Sequence, residues 1–191
     1  MKQPLGFVDS TLPSHVCWLH KSLYGLKQAS WAWYTHLSDS LLSIAISCDW
    51  KIHQLDIHNV FLNGILHEEV YIKQPSSFVD FALPSHVCRL HKSLYGLKQA
   101  PRVWYTCLNG FLLSIGFHAS KVDTSLFIFS VDADIFYLLV YVNDILLTGS
   151  NSLLLQRLIQ LLSSEFKLRD LDIVHYFFGI EVMPIGLGLM L

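Results

Sequence analysis

Two short stretches carry the residues whose types could do chemistry. The first is Asp56, near the end of the alternating run KIHQLDI at residues 51–57. The second is the pair Asn143–Asp144, set inside the apolar run FYLLVYVNDILLTGS at residues 136–150. An apolar run split by one polar pair reads as two strands joined by a tight hairpin, with the amide and the carboxylate at its tip. A carboxylate fixed there and a second at a strand end, brought together, offer hard oxygen ligands to a divalent cation such as Mg²⁺. Two such ions roughly 3.5–4 Å apart activate an attacking hydroxyl and steady the leaving oxygen of an in-line phosphoryl displacement. Two aspartates distant in sequence are more often a cap and a turn residue than a metal pair. The surrounding elements decide whether the two stretches can meet.

Residues 37–48 show helical spacing, with Leu41, Leu42, Ile44 and Ala45 on one side. A strand over 51–57 follows, then a turn at Asn63–Gly64 and a strand over 68–75 closed by Pro75. Gly96 breaks the next segment. Pro101 opens a helix to about Ile115 whose apolar face is Trp104, Leu108, Phe111, Leu112 and Ile115. Strands are expected over 125–130, 135–142 and 145–148, with a turn at Asp132–Ala133–Asp134. Asn151 caps a helix to about Phe166, with Leu155, Leu158, Ile159, Leu162 and Phe166 on one face, and VHYFFGIEV at 174–182 reads as a closing strand. Strands and helices interleave and hairpins join the strands, so the fold class is α+β, an antiparallel sheet backed by helices.

Composition narrows the field. Of the 191 residues, 52% are hydrophobic and 15% charged, and the mean hydropathy is +0.42. That is apolar for a free-standing domain and suggests a piece of a larger assembly with partner surfaces. The longest apolar run, around Ile135 to Leu147, is too short for a membrane span and contains Asn143 and Asp144. No signal peptide is read at the N-terminus, and an intracellular location, cytoplasm or nucleus, is expected. The net charge of −2 announces no nucleic-acid binder, so any such site would be a local basic patch. The four cysteines form no CxxC pair and read as reduced thiols, and the ten histidines show neither HExxH nor knuckle spacing.

Residues 1–46 and 72–117 are near copies, aligned without a gap at a constant offset of 71 residues from Lys2 to Lys73. Even loop residues such as LPSHVC match. Solenoids drift at such positions and need three or more copies, so this is a segmental duplication and not an architecture. The downstream copy has Ala100–Pro101–Arg102 where the upstream copy has Ala29–Ser30–Trp31.

Four segments, HQLDIHNVFLNGILHEEVYIKQP, LHKSLYGLKQAPRVWY, YVNDILLTGS and EFKLRDLDIVHYFFGIEV, together resemble the reverse transcriptase of copia-type retrotransposons. They cover residues 41–182 in the family's order. The resemblance implies the palm of a polymerase right hand, RNA-directed DNA synthesis, two Mg²⁺ ions, and an RNA template, a DNA primer and deoxynucleoside triphosphates as partners. By position, Asp56 matches the first metal-binding aspartate, and Asp56, Asn143 and Asp144 occupy the catalytic positions, with Asp56 and Asp144 left as metal ligands. Phe61 matches the ring that excludes a ribose 2′-hydroxyl. Lys98 and Gln99 lie in the block lining the incoming nucleotide, and Lys92 and Arg102 supply cations suited to nucleic-acid phosphates.

The family's hairpin reads Tyr-Val-Asp-Asp, whereas this chain has Tyr141–Val142–Asn143–Asp144. Asparagine keeps the turn but brings no charge. Asp144 is a poor substitute on this reading, because neighbouring turn residues point in different directions. The repeat at 1–46 stands where fingers would precede residue 37, and RNase H portions are expected to be missing after residue 191. The expected organisation is thus a duplicated block at 1–46, a palm core at 47–182 and an apolar tail at 183–191. The expected function is a degenerate, inactive reverse-transcriptase palm. The alternative is a non-catalytic palm remnant that binds nucleic acid, or a partner through apolar surface that includes Trp31 and Trp33, with self-association as one outcome.

Overall fold

Period-two alternation of apolar residues decides the centre of the molecule. A computed structural model describes residues 2–3, 6–19, 27–173, 176–177, 180–181, 183–185 and 188–190. Two compact units divide the chain, Met1–Asp39 and Ser40–Leu191. In the second, six antiparallel strands form one sheet in the order β4-β5-β6-β7-β1-β8. They are β1 (Lys51–Ile57), β4 (His118–Ala119), β5 (Leu126–Val131), β6 (Asp134–Tyr141), β7 (Asp144–Gly149) and β8 (Leu168–Ile173). A separate hairpin pairs β2 (Ile65–Lys73) with β3 (Val87–Lys92). The α+β class and the antiparallel sheet expected from the sequence are both present.

The two faces of the sheet do different things. Leu55 and Ile57 of β1, Phe136 and Leu138 of β6, and Ile145 and Leu147 of β7 join one buried cluster with α2 (Ala100–Ser114) and α3 (Ser152–Glu165). α2 contributes Trp104, Leu108 and Leu112, and α3 contributes Leu155, Leu158, Ile159 and Leu162. Each such side chain is worth roughly 1.5–3 kcal/mol of burial. The alternate residues Ile52, Leu139, Leu146 and Thr148 point to the other face and are also fully buried. Asp56 and Asp144 share that second face by parity.

Chain ends and turns explain the boundaries. The Asn151 side chain accepts from the Leu153 and Leu154 amides and caps α3 as expected. Pro101 sits in the first turn of α2, where its missing N–H costs nothing. Gly64 packs so close to α2 that a Cβ there would lie 2.7 Å from Val103 Cγ1. No larger residue fits between the 3₁₀ turn Val60–Asn63 and that helix.

Four sequence expectations are corrected. The first helix, α1, covers Lys27–Ser47 and not 37–48, and Ile44, expected on its apolar side, is 45% exposed. The strand expected over 68–75 begins earlier, at Ile65. β3, β4 and β8 are additions to the expected strands, and in β8 LRDLDI sets charges among its apolar residues, a pattern suited to an edge strand. Where one strand is expected over 174–182, Tyr176–Phe177 pairs with Ile180–Glu181, and residues 174, 175, 178, 179 and 182 lie outside the described residues. In the tail, Met183–Ile185 pairs with Gly188–Met190.

Candidate active site

The hairpin between β6 and β7 turns in two residues, Val142 and Asn143, one residue earlier than the expected Asn143–Asp144, because Tyr141 and Asp144 are paired and Asp144 already begins β7. Val142 has a φ of 58° and Asn143 is not among the positive-φ residues, the sign pattern of a type II′ turn. That position normally falls to glycine, and a β-branched residue there is strained. Three tethers hold it. The Trp104 indole Nε1–H donates to the Val142 carbonyl at 2.8 Å, and the Ile57 amide donates to the Asn143 carbonyl at 2.9 Å. The Asn143 side chain donates from Nδ2 to Asp56 Oδ1 at 2.5 Å.

The Ile57–Asn143 bond also fixes how the carboxylates face. Asp56 and Asp144 are the next pair along the ladder, directly opposite one another. They therefore form a non-hydrogen-bonded pair, the type whose Cα atoms come within about 4.5 Å. Side chains so placed lie on the same face. Asp144 consequently points with Asp56, which corrects the expectation that it would be turned aside. Register, which the turn residues alone do not reveal, decides this. Burial, followed by the charge of Asp56, raises the Asp144 carboxyl above the usual aspartate range.

On the far side of Asp56 its cross-strand partner in β8 is Arg169. One row across four strands thus reads Arg169, Asp56, Asp144, Tyr141. Sequence reasoning singles out neither Arg169 nor Trp104 as a site residue. Arg169 lies in β8, a strand that the sequence does not announce, and Trp104 reads as core. Trp104 is buried at 3% exposure, yet its polar tip reaches the turn.

The other candidates fall in three places. Phe61 is 8% exposed, meets Tyr95 edge-to-face at 4.5 Å, and shares a recess of about 200 Å³ with Trp104, Pro101 and Val142. Gln99 and Arg102 line a different groove of about 440 Å³ beside Asn63, His67 and Glu68. Lys92, at the end of β3 opposite Ile65, and Lys98, just before α2, are exposed and line neither. Asp56, Asn143 and Asp144 converge, Phe61 is near the hairpin, and the four polar candidates stand apart.

A pair of Mg²⁺ ions does not fit the convergent residues. The donor set has two carboxylates, and one oxygen of Asp56 already accepts from the Asn143 amide. The row also carries a cation at Arg169. Among the described residues no group of three or more His, Cys, Asp or Glu is placed to hold a metal ion. Nor, among them, is any helix long and apolar enough to cross a membrane.

Comparison with known proteins meets this geometry. The reverse transcriptase (RNA-dependent DNA polymerase) family matches over residues 39–191 and separately over residues 1–43. The chain belongs to that family. It is 48% identical over 151 residues to the retrovirus-related Pol polyproteins from transposons RE2 and RE1 of Arabidopsis thaliana. That alignment covers 79% of the chain and 10% of each relative. The corresponding polyprotein from transposon TNT 1-94 of Nicotiana tabacum is 37% identical over 75% of the chain and 11% of its own length. The chain is therefore a copia-type reverse-transcriptase segment spanning about a tenth of these relatives. No solved structure matches it. The upstream block matches the family in its own right, as a near copy of residues 72–117 must.

Proposed function

We propose that residues 47–182 are the palm of a reverse-transcriptase domain in which RNA-directed DNA synthesis has been lost. The observation that carries the reading is the hydrogen bond from Asn143 to Asp56 at the point where the β1 end and the hairpin tip meet. A polymerase needs fixed negative charge there to balance Mg²⁺ and a triphosphate. Mg²⁺ bound there would supply the positive charge that nucleotide transfer needs. Asp56 and Asp144 would be its remaining carboxylate ligands, one short of the set the resemblance implies. The partners of the ancestral reaction would be an RNA template, a DNA primer and deoxynucleoside triphosphates.

The remaining residues take subsidiary parts in the proposal. Phe61, stiff and pinned edge-on by Tyr95, would close the space where a ribose 2′-hydroxyl would sit. Lys98 and Gln99 would face the nucleotide, and the exposed Lys92 and Arg102 would meet phosphates.

Primer extension on an RNA–DNA hybrid tests the reading. The expected result with Mg²⁺ or Mn²⁺ is no extension, and Asn143→Asp alone does not bring normal rates. Robust extension by the unmodified chain overturns it. The exposed cations favour one second reading, a palm remnant that holds nucleic acid without chemistry. A salt-dependent gel shift with the same hybrid supports that version, because phosphate contacts release counterions.

A further inference from the structure

We propose that Asn143 makes the meeting point of β1 and the β6–β7 hairpin a metal-independent clasp, one whose stability draws on no divalent ion. The proposal deepens the functional reading and rests on it only for the identity of the ion that is dispensed with. Its footing is geometric. Asp56 and Asp144 stand directly opposite one another in a non-hydrogen-bonded pair, both half-buried. Two like charges so placed oppose pairing of the strands that carry them. The Asn143 amide sits beside them without adding charge, and its N–H spans to Asp56 Oδ1 at 2.5 Å. Arg169, exposed and across from Asp56 on the other strand, stands in the same row without an ion pair to either carboxylate.

The bond also serves the turn itself. Val142 is held at a φ of 58°, and such strain persists only where surrounding contacts over-determine it. Trp104 and Ile57 hold the two turn carbonyls, and Asn143 Nδ2 anchors the side chain of the same turn to the neighbouring strand. An aspartate at 143 would remove that donor and place a third carboxylate beside Asp56 and Asp144. The strand end and the hairpin tip would then repel until a cation joined them. Asparagine and aspartate are nearly isosteric, so the exchange changes charge and hydrogen bonding while leaving shape alone.

Thermal unfolding of the full chain in a chelator and in millimolar Mg²⁺ or Mn²⁺ tests this. The wild-type Tm is expected to be the same in both. Asn143→Ala should lower Tm by roughly 3–12 °C in either medium, as loss of one charge-assisted hydrogen bond does in a protein of this size. Asn143→Asp should fall at least as far in the chelator and recover when metal is added. If that variant does not fold in the chelator, metal-driven refolding counts as the same recovery, and the alanine variant still decides. A wild-type Tm that climbs saturably with Mg²⁺ overturns the proposal. So does an Asn143→Ala chain that melts like wild type, or an Asn143→Asp chain that matches wild type in the chelator. Primer extension by wild type would strike the loss of activity, while the Asn143→Ala melt in the chelator would still decide the clasp on its own.

Discussion

The two copies of the repeat share a loop and part company at the helix. In the downstream copy the Gln74 amide donates to the carbonyls of Leu83 and His86 at 2.8 and 3.0 Å and accepts from the Asp80 amide at 2.7 Å. Asp80 in turn accepts from the Ala82 amide at 2.8 Å. In the upstream copy Gln3 makes the same bonds to Leu12, His15 and Asp9, and Asp9 accepts from Thr11. Even the strand pairing that closes the loop recurs, Lys2 with Val16 and Lys73 with Val87. A loop stapled by its own glutamine is written in local sequence, so it forms wherever that sequence is placed.

The helices differ because tertiary context chooses their faces. All four residues that α2 buries, Ala100, Trp104, Leu108 and Leu112, recur 71 positions earlier as Ala29, Trp33, Leu37 and Leu41. Yet α1 buries Tyr34, Ser38, Leu41, Leu42 and Ala45, and leaves Trp33 at 49% exposure against 3% for Trp104. Their starts differ too. Lys27 and Gln28 are helical, whereas Lys98 and Gln99 precede α2. Pro101 cannot donate to a carbonyl four residues back, and Ser30 carries the N–H that it lacks. Identical residues thus have different energetic weight in the two copies.

The largest expected contrast is between the paired tryptophans. Trp104→Ala removes a buried ring and the indole bond to Val142, and should cost about 3–5 kcal/mol in urea unfolding. Trp33→Ala should cost under about 1 kcal/mol. Equal losses would break the claim that context selects the helix face. Next come the staples. Gln74→Ala and Gln3→Ala should each loosen its own loop by about 1 kcal/mol, seen as faster amide exchange at Asp80 or Asp9 and no change in the other copy. Unequal responses would mean that the loop is not locally encoded. The smallest effect belongs to Pro101→Ser, which should lower stability by roughly 0.4–1 kcal/mol while Lys98 and Gln99 gain helical chemical shifts. Unchanged shifts there would remove proline as the reason for the different starts.

The same division between local and distant causes explains what can be read from the chain. The presence of the β6–β7 hairpin, though not which two residues turn it, the Asn151 cap, Pro101 in the first turn of α2 and the apolar stripe of α3 follow from neighbours in sequence and are legible. The direction of Asp144 is not, because it depends on Ile57 pairing with Asn143, 86 residues further along the chain (143 − 57), and not with a neighbour of it. Trp104 as a tether is hidden for a similar reason, since its packing signal is strong and its one polar atom finds a partner only in the folded chain. Arg169 escapes notice because β8, LRDLDI, sets three charges among its apolar residues and carries no apolar run.

One cross-link addresses the convergence on which the site depends. With Cys17, Cys48, Cys88 and Cys107 replaced by serine, Asp56→Cys and Asp144→Cys place two thiols at a directly opposed, non-hydrogen-bonded pair of antiparallel strands. Side chains at such a pair lie within reach of disulfide geometry. Mild oxidation of the folded double variant should give an intramolecular link in nearly every molecule, read as an intact-mass loss of two hydrogens. Thiols that stay free, or that link only between molecules, would contradict the meeting of the β1 end with the hairpin tip.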